Sequence, residues 1–181
     1  MSRPPEIERY TVEDYLRWEG EWELIDGIPQ AMAPSPAVSH QRVAAALFRQ
    51  LDEALEHCPE CEVLYEIDVT LDADTVVRPD LLVTCRQPPG ERLTRAPAMI
   101  VEVVSVESAR RDERTKFEVY RAGGVVYYVL VYPMDRIARI YRLAEGEYRK
   151  VADVSGARQD FDLPAWRVEI DFARVWRRLE R

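Results

Sequence analysis

The chain has 181 residues, of which 47% are hydrophobic and 32% are charged, so it is long and apolar enough to bury a core. The apolar run Val125–Val131 is far shorter than the ~18–20 residues of a membrane-spanning helix, and the first six residues carry no apolar secretion segment. Three cysteines are too few for a disulfide framework. We therefore expect a single cytoplasmic domain over residues 1–181, with no membrane partner.

The formal net charge of −8 argues against binding to nucleic acid through overall charge, although it leaves room for a local basic groove. Only two of the 25 basic residues are lysines, Lys116 and Lys150. Lysine is a compact point charge whereas arginine is a planar fork. A lysine retained in such an arginine-rich chain is a candidate for a role that arginine cannot fill.

The first third of the chain predicts a short helix, a hairpin and a long helix. Thr11, with Asp14 three residues later, is typical of a helix start, and this helix runs to about Trp18. Asp26-Gly27 predicts a tight turn between two strands, Trp22–Ile25 and Ile28–Met32. Ser35 or Ser39 is the predicted cap of a long amphipathic helix that ends near His57.

The remaining pattern predicts a mixed sheet with helices packed on it. Apolar or alternating runs indicate strands, glycine pairs and charged turns indicate the connections, and Asp171 is the expected cap of a closing helix. The predicted strands are Glu62–Leu71, Val76–Thr84, Met99–Ser105, Val125–Tyr132, Arg139–Leu143 and Glu147–Ala152, and the helices are Glu107–Ala122 and Ile170–Leu179. The predicted fold is α/β, with a core of helix, three strands, helix and strand over about residues 36–132. Added elements lie at 10–33 and 136–180.

Two carboxylates interrupt strands that are otherwise apolar. Asp80 follows Pro79, which cannot donate to a ladder and therefore predicts a break or bulge, and Glu102 lies in the middle of Met99–Ser105. A buried carboxylate is costly unless a cation compensates it. The cation is either an arginine, for which Arg78 and Arg110 are available, or a hard divalent ion such as Mg²⁺.

Lys116 lies on the predicted helix Glu107–Ala122, on one broad face with Asp112, Phe117 and Tyr120. If the aromatic residues of this face pack on the sheet, the ammonium can reach inward toward the two carboxylates. The alternative is that the stem of Lys116 covers apolar surface while its charge stays in water.

In this order, Asp80, Glu102 and Lys116 resemble the PD-(D/E)XK nuclease superfamily, and the chain is most similar to the Uma2 family of restriction-endonuclease-like proteins. The matching stretches span about residues 10–145. They are Trp22–Gly27, Ser35-Pro36, Ser39–Gln41, Arg78–Asp80, Ile100–Ser105, Arg111–Lys116 with Tyr120, and Gly123–Val125 leading into Tyr127-Tyr128. The superfamily's usual lysine position is Val104 here, and in the Uma2 pattern the lysine has moved to the following helix.

The resemblance implies a Mg²⁺- or Mn²⁺-dependent endonuclease that hydrolyses DNA phosphodiester bonds. Asp80 and Glu102 would bind the metal with the Val103 carbonyl, and Lys116 would orient the attacking water and offset the phosphate charge. Glu23 and His40 are secondary catalytic candidates. The alternatives are a cross-strand salt bridge for Glu23 and a helix-start hydrogen bond for His40.

Two rival functions stay open: a non-catalytic nucleic-acid-binding or interaction module with the same fold, and a structural domain whose carboxylates pair with arginines. DNA would lie along two arginine-containing segments, 86–95 and 110–114, unless these form an ordinary solvated surface. A homodimer is expected if Trp166, Phe172, Val175 and Trp176 form an interface, but core packing explains the same residues. Cys58-Pro59-Glu60-Cys61 is interpreted as a loop with two thiols.

Overall fold

A computed structural model describes residues 8–32, 36–88, 90 and 92–180. These ranges contain twelve strands, which form three sheets. In chain order they are β1 Trp22–Ile25, β2 Ile28–Ala31, β3 Cys61–Tyr65, β4 Val69–Asp72, β5 Thr75–Val77, β6 Leu81–Cys85, β7 Met99–Val103, β8 Tyr127–Tyr132, β9 Ile137–Ala144, β10 Glu147–Val154, β11 Arg158–Asp162 and β12 Arg167–Asp171.

The α-helices of the described residues are α1 Val12–Tyr15, α2 Val38–Leu55, α3 Lys116–Ala122 and α4 Phe172–Trp176. A π-helical turn, Arg111–Thr115, leads into α3, and a 3₁₀ turn, Arg177–Glu180, follows α4. Thr11 and Asp14 form the predicted capping box of α1. None of these helices combines the length and the apolar composition needed to cross a membrane.

The central sheet has six strands in the order β10-β9-β8-β7-β6-β3. Its pairs are antiparallel except β7 and β8, which are parallel and are joined through α3. The chain order α2, β3, β6, β7, α3, β8 is the predicted helix–three strands–helix–strand core. The mixed α/β fold expected from the sequence is thereby confirmed.

The two faces of the central sheet bury different elements. Along β7, Met99, Val101 and Val103 join the apolar cluster that contains α2, α4 and the β11–β12 hairpin. The alternate residue Ile100, with Val104 just beyond the strand, joins the cluster that contains α3. Because side chains alternate along a strand, Glu102 lies on the α3 face between two apolar neighbours.

A four-stranded sheet, in the order β2-β1-β5-β4, contributes to the same apolar cluster as α3. It explains why two of the predicted strands are wrong. The chain leaves β3 at Glu66, which has a positive φ of 48°, and it leaves β5 at Pro79. Each predicted strand therefore divides between the two sheets, Glu62–Leu71 into β3 and β4, and Val76–Thr84 into β5 and β6.

The starts of two predicted helices also differ. The N-cap of α2 is Ala37, which makes no side-chain capping bond; Ser39 lies inside the helix, and Ser35 lies outside the described residues. The predicted closing helix begins at Phe172 rather than Ile170. Ile170 belongs to β12, whose hairpin with β11 the sequence analysis missed. Asp171 caps this helix as expected, accepting from the backbone N–H of Arg174.

Two interpretations of single residues also change. Cys61 does not carry a free thiol, because β3 and β6 place it opposite Cys85 and the two form a disulfide, whereas Cys58 is free and buried. Phe172, Val175 and Trp176 are buried within this chain, so core packing accounts for these residues of the proposed dimer interface. The homodimer itself stays a prediction.

Candidate active site

Strand register brings the two strand carboxylates together. Leu81 pairs with Val101 and Leu82 with Ile100, so Asp80, the residue before β6, lies level with Glu102 on β7. The backbone N–H of Asp80 is 3.4 Å from Oε2 of Glu102. The break at Pro79 ends the β5 pairing and leaves Asp80 at the rim of the sheet, where it remains partly exposed.

Asp80 is held by a backbone group and by a helix. Its Oδ2 accepts a 2.7 Å hydrogen bond from Val103 N–H and lies 3.1 Å from Nε2 of His40, in the first turn of α2. Burial favours the neutral acid, but the bonds from His40 and Val103 outweigh it and hold the pKa of Asp80 below its usual value. Burial also opposes a charge on His40, yet Asp80 raises the pKa of the imidazole. Nε2 of His40 contacts Asp80, and its Nδ1 has no hydrogen-bond partner among the described residues, so His40 does not make the helix-start hydrogen bond.

Glu102 is almost fully buried and accepts two hydrogen bonds at one oxygen. Its Oε1 lies 2.9 Å from Nζ of Lys116 and 2.6 Å from the hydroxyl of Tyr120. Burial raises the pKa of Glu102 to about 8, against the opposing charge of Lys116. The alternative in which Asp80 and Glu102 pair with arginines is wrong for the described residues, because their charged side-chain partners are His40 and Lys116.

Lys116 joins two carboxylates that lie far apart in the sequence. Its Nζ is 2.9 Å from Glu102 and 3.0 Å from Oε1 of Glu23 on β1, and only 2% of the side chain is exposed. Burial opposes the ammonium, but the two carboxylates raise the pKa of Lys116 above its usual value. The surface interpretation of Lys116 is therefore wrong: the ammonium is buried and charged.

Glu23 is fully buried, and its position depends on the chain just before Asp80. Its Oε1 accepts a 2.8 Å hydrogen bond from the backbone N–H of Arg78. The Arg78 guanidinium points elsewhere, to Glu21 and, at 2.7 Å, to Asp68. Glu23 does not form the cross-strand salt bridge weighed above, since Gln30 lies opposite it on β2.

Asp112 is a fourth carboxylate of the site that the sequence analysis did not select. It is 2% exposed, and Oδ1 of Asp112 and Oε2 of Glu23 have no hydrogen-bond partner among the described residues. Arg111 lies 3.8 Å from Asp112 and 3.7 Å from Glu23. Burial raises the pKa of Asp112. Its i, i+4 spacing to Lys116 is the signal that could have identified it.

An apolar cleft of about 250 Å³ opens beside Asp80 and His40. Phe48 of α2 and Tyr65 of β3 form an edge-to-face pair in its wall, with ring centroids 5.3 Å apart. Tyr65 is exposed. The cleft gives solvent a route to the partly exposed Asp80, whereas Glu102 and Lys116 lie deeper.

Comparisons with known proteins identify the family and the fold of the chain. The family model described as "Uma2: Putative restriction endonuclease" matches residues 12–168, which is most of the chain. The chain belongs to the Uma2 family. A crystal structure of a putative nuclease belonging to DUF820 from Anabaena variabilis matches with a TM-score of 0.77 over 93% of this chain and 98% of that one. At 15% identity, this likeness shows the fold. No curated protein matches the chain.

Members of restriction-endonuclease-like families generally use a divalent metal. The side chains of the Uma2 site can be compared with the ligands that such a cation needs. The described residues contain no group of three or more histidine, cysteine or acidic side chains arranged to hold a metal ion. The pair Asp80 and Glu102 instead suits Mg²⁺, which keeps several waters and needs only one or two carboxylates. In the described residues Oδ1 of Asp80 makes no hydrogen bond. The site also has four carboxylates against two permanent cations, Lys116 and Arg111. The donor set therefore fits a hard divalent ion.

The Val103 carbonyl points to the side on which it could join Asp80 and Glu102 as a metal ligand. Val103 N–H points at Asp80, and in an antiparallel strand the N–H and C=O of one residue point to the same side. The carbonyl therefore lies on the edge of β7 that faces Asp80.

Three arginines of the segments expected to flank the site of this Uma2 chain lie elsewhere or are engaged. Arg86 follows the far end of β6, six residues from Asp80, and pairs with Glu60. Arg95 donates to the Arg86 carbonyl at 2.7 Å. Arg111 points inward. Arg86, Arg95 and Arg111 therefore do not form one basic rim. Arg92, Arg110 and Arg114 are exposed, and a DNA path along the two segments stays a prediction.

Proposed function

We propose that this Uma2 chain is a Mg²⁺-dependent endonuclease that hydrolyses phosphodiester bonds in DNA. The observation that carries the proposal is the buried contact of Lys116 with Glu102, which lies level with Asp80 in the strand register. Lys116 lies between Glu102, which would bind the metal, and Glu23, which holds the ammonium in place. In this position it would supply positive charge where a phosphate gains negative charge. The family description supports a nuclease. We add that the substrate is DNA and that the metal is Mg²⁺.

Asp80, Glu102 and the Val103 carbonyl would hold the cation, with water completing its coordination. When bound, a divalent cation polarises a phosphoryl oxygen and lowers the pKa of a coordinated water. Metal binding to Glu102 requires its carboxylate form, so the raised pKa of Glu102 means that binding releases a proton near neutral pH.

Each of the remaining residues has a separate task. Lys116 keeps its proton, because its pKa is raised, so it contributes charge and hydrogen bonds rather than acting as a base. Glu23 fixes the Lys116 ammonium, and Tyr120 fixes the orientation of Glu102 through its 2.6 Å bond. His40 orients Asp80 toward the cleft and borders the space in which the substrate phosphate would lie.

Nicking of supercoiled plasmid by the purified chain tests the proposal, with Mg²⁺ or Mn²⁺ and with EDTA as the metal-free control. Asp80→Asn, Glu102→Gln and Lys116→Met should each abolish nicking. The matched controls Glu118→Gln and Lys150→Met change exposed residues of the same types and should leave it unchanged.

Three outcomes would contradict the proposal. Nicking that survives all three site substitutions assigns the activity to a contaminant or to another site. Nicking in EDTA excludes the metal requirement. A wild-type chain that binds Mn²⁺ in calorimetry without cutting supports the non-catalytic nucleic-acid-binding alternative.

A further inference from the structure

An arginine patch lies on the side of α2 that faces the end of the described chain. It consists of Arg49 on α2, Arg174 on α4, and Arg177 and Arg178 in the 3₁₀ turn, and these residues line an open, polar cavity of about 490 Å³. Glu53 pairs with Arg49 and with Arg174. Within the described ranges, Arg177 and Arg178 form no ion pair. Glu180 also lines the cavity and pairs with Arg136, so the four arginines outnumber the carboxylates around them and the patch carries a local positive charge on a chain whose net charge is −8.

The patch is held in a defined place by buried contacts. Gln50 of α2 is 6% exposed and bonds both backbone groups of Asp171, accepting from its N–H at 3.0 Å and donating to its carbonyl at 3.3 Å. Asp171 in turn caps α4, whose Phe172 and Val175 are fully buried. The arginines thus project from a helix and a turn that are fixed to α2.

The same helix connects the patch to the candidate active site. Gln41, Ala45 and Arg49 follow each other at i, i+4 spacing and are all exposed, so they form one stripe along α2. Gln41 and Ala45 also line the cleft beside Asp80, and Arg49 lines the cavity of the patch. Arg49 lies nine residues after His40 on α2, which corresponds to about 13–14 Å at 1.5 Å per residue. That length equals about four base-pair steps of DNA at 3.4 Å each.

We propose that the arginine patch binds backbone phosphates of the DNA about four base pairs from the phosphate that is cut, with the duplex running along the exposed stripe of α2. The inference rests on the proposed function, since it takes DNA as the substrate. An acidic protein needs such a local site, because phosphate neutralisation by arginine provides most of the sequence-independent affinity for DNA. Arg177 and Arg178 are the residues with the most freedom to contact phosphate.

The test measures binding of a fluorescent 20-base-pair duplex by anisotropy in EDTA, over a range of salt concentrations. Each lost phosphate contact should lower the slope of log K against log salt by about 0.9. The double variant Arg177→Gln/Arg178→Gln should therefore lose about 1.8 in slope, and about 60-fold in affinity at 0.1 M salt if affinities converge at 1 M. The matched control, Arg17→Gln/Arg149→Gln, removes the same charge from two exposed arginines that belong to neither the patch nor the candidate active site, and should keep the wild-type slope.

Plasmid nicking by the same proteins separates this inference from the proposed function. In Mg²⁺ the patch variant should show a raised KM with an unchanged kcat, because the patch does not touch the reacting atoms. A patch variant with the wild-type slope and KM, in a chain that does nick DNA, overturns the patch and leaves the nuclease intact. A patch-dependent slope in a chain that never nicks DNA supports the patch and overturns the nuclease. An equal loss in both double variants also overturns the patch, because it indicates a response to net charge alone.

Discussion

Replacing Lys116 with methionine is the most direct test of the buried charge network. Methionine is an unbranched side chain of similar length, so the substitution removes the ammonium without leaving a large cavity. It leaves Glu23 and Glu102, at 3.0 and 2.9 Å from the lost nitrogen, without their shared cation. Breaking a buried ion pair from one side costs about 3–5 kcal/mol, because the remaining charge stays buried. We expect the free energy of unfolding to fall by that amount at pH 8.

The assay is urea unfolding followed by fluorescence of the chain's four tryptophans, in EDTA, at two pH values. Protonation of the carboxylates relieves the buried charge, so the loss should be smaller at pH 6 than at pH 8. Lys150→Met is the control. Lys150 forms an exposed pair with Asp153, and its removal should change stability by less than about 0.5–1 kcal/mol.

Equal stabilities of the Lys116→Met and Lys150→Met variants would refute this reasoning. That result would mean that the carboxylates near Lys116 are neutral in the folded protein, or that Lys116 is not buried between them. A Lys116→Met variant that fails to fold would agree with the expected direction. Lys116→Arg would then measure whether any cation suffices, with a loss expected because a planar guanidinium does not fit a site shaped for an ammonium.

Three further predictions concern Glu102 and its neighbours. The pKa of Glu102 in the folded state, about 8, exceeds its ordinary value, so its stabilising contribution is complete at acidic pH and is lost as pH rises through 8. In EDTA, the free energy of unfolding should therefore fall between pH 6 and 8 with a slope of up to about 1.4 kcal/mol per pH unit. Glu102→Gln should reduce this slope. If the variant keeps the wild-type slope, the pH dependence comes from another group. Tyr120→Phe removes the 2.6 Å bond to Glu102 and should cost about 1–3 kcal/mol in urea unfolding as well as slow nicking. Tyr148→Phe, which loses a bond to the Val125 carbonyl and none to Glu102, should not slow nicking, and equal nicking by both variants would contradict the role of Tyr120. Mn²⁺ at a hundredfold excess over its dissociation constant should stabilise the wild type by about 2.7 kcal/mol, seen as a raised Tm, and Asp80→Asn should abolish the shift; a shift that persists locates the metal elsewhere.

The core of the fold could be predicted because its signals are local. Alternation and apolar runs identified the neighbourhoods of β7 and β8, and helical spacing identified α2. Asp26-Gly27 predicted the first hairpin and Thr11 the first helix cap, since turns and caps depend on a few adjacent residues. The β11–β12 hairpin was missed because each strand has only five residues, and because Ile170, which ends the alternation of β12, fits the start of the predicted closing helix equally well.

The division of the strands needed the tertiary structure. The segments before and after Glu66, and before and after Pro79, have the same strand-like pattern because all of them bury apolar residues. Only the strand pairing shows that the segments before and after each break belong to different sheets. Similarly, spacing along the chain gave no sign that Cys61 and Cys85 are opposite each other on β3 and β6.

For the site, the sequence by itself selected Asp80 and Glu102, because a charge within an apolar strand pattern is visible without any structure, and Lys116, because it is one of only two lysines and matches the family's motif order. Only the tertiary structure decided what each charge contacts. It set Glu23, more than ninety residues earlier in the chain, against Lys116, and it buried Asp112 beside them. It also directed Arg78 to Asp68 and Glu21 rather than to the strand carboxylates. The physical reason is that the residue type and its sequence neighbours show whether a charged side chain will be buried at a cost in free energy. The partner that offsets this cost is brought in by long-range strand register and helix packing.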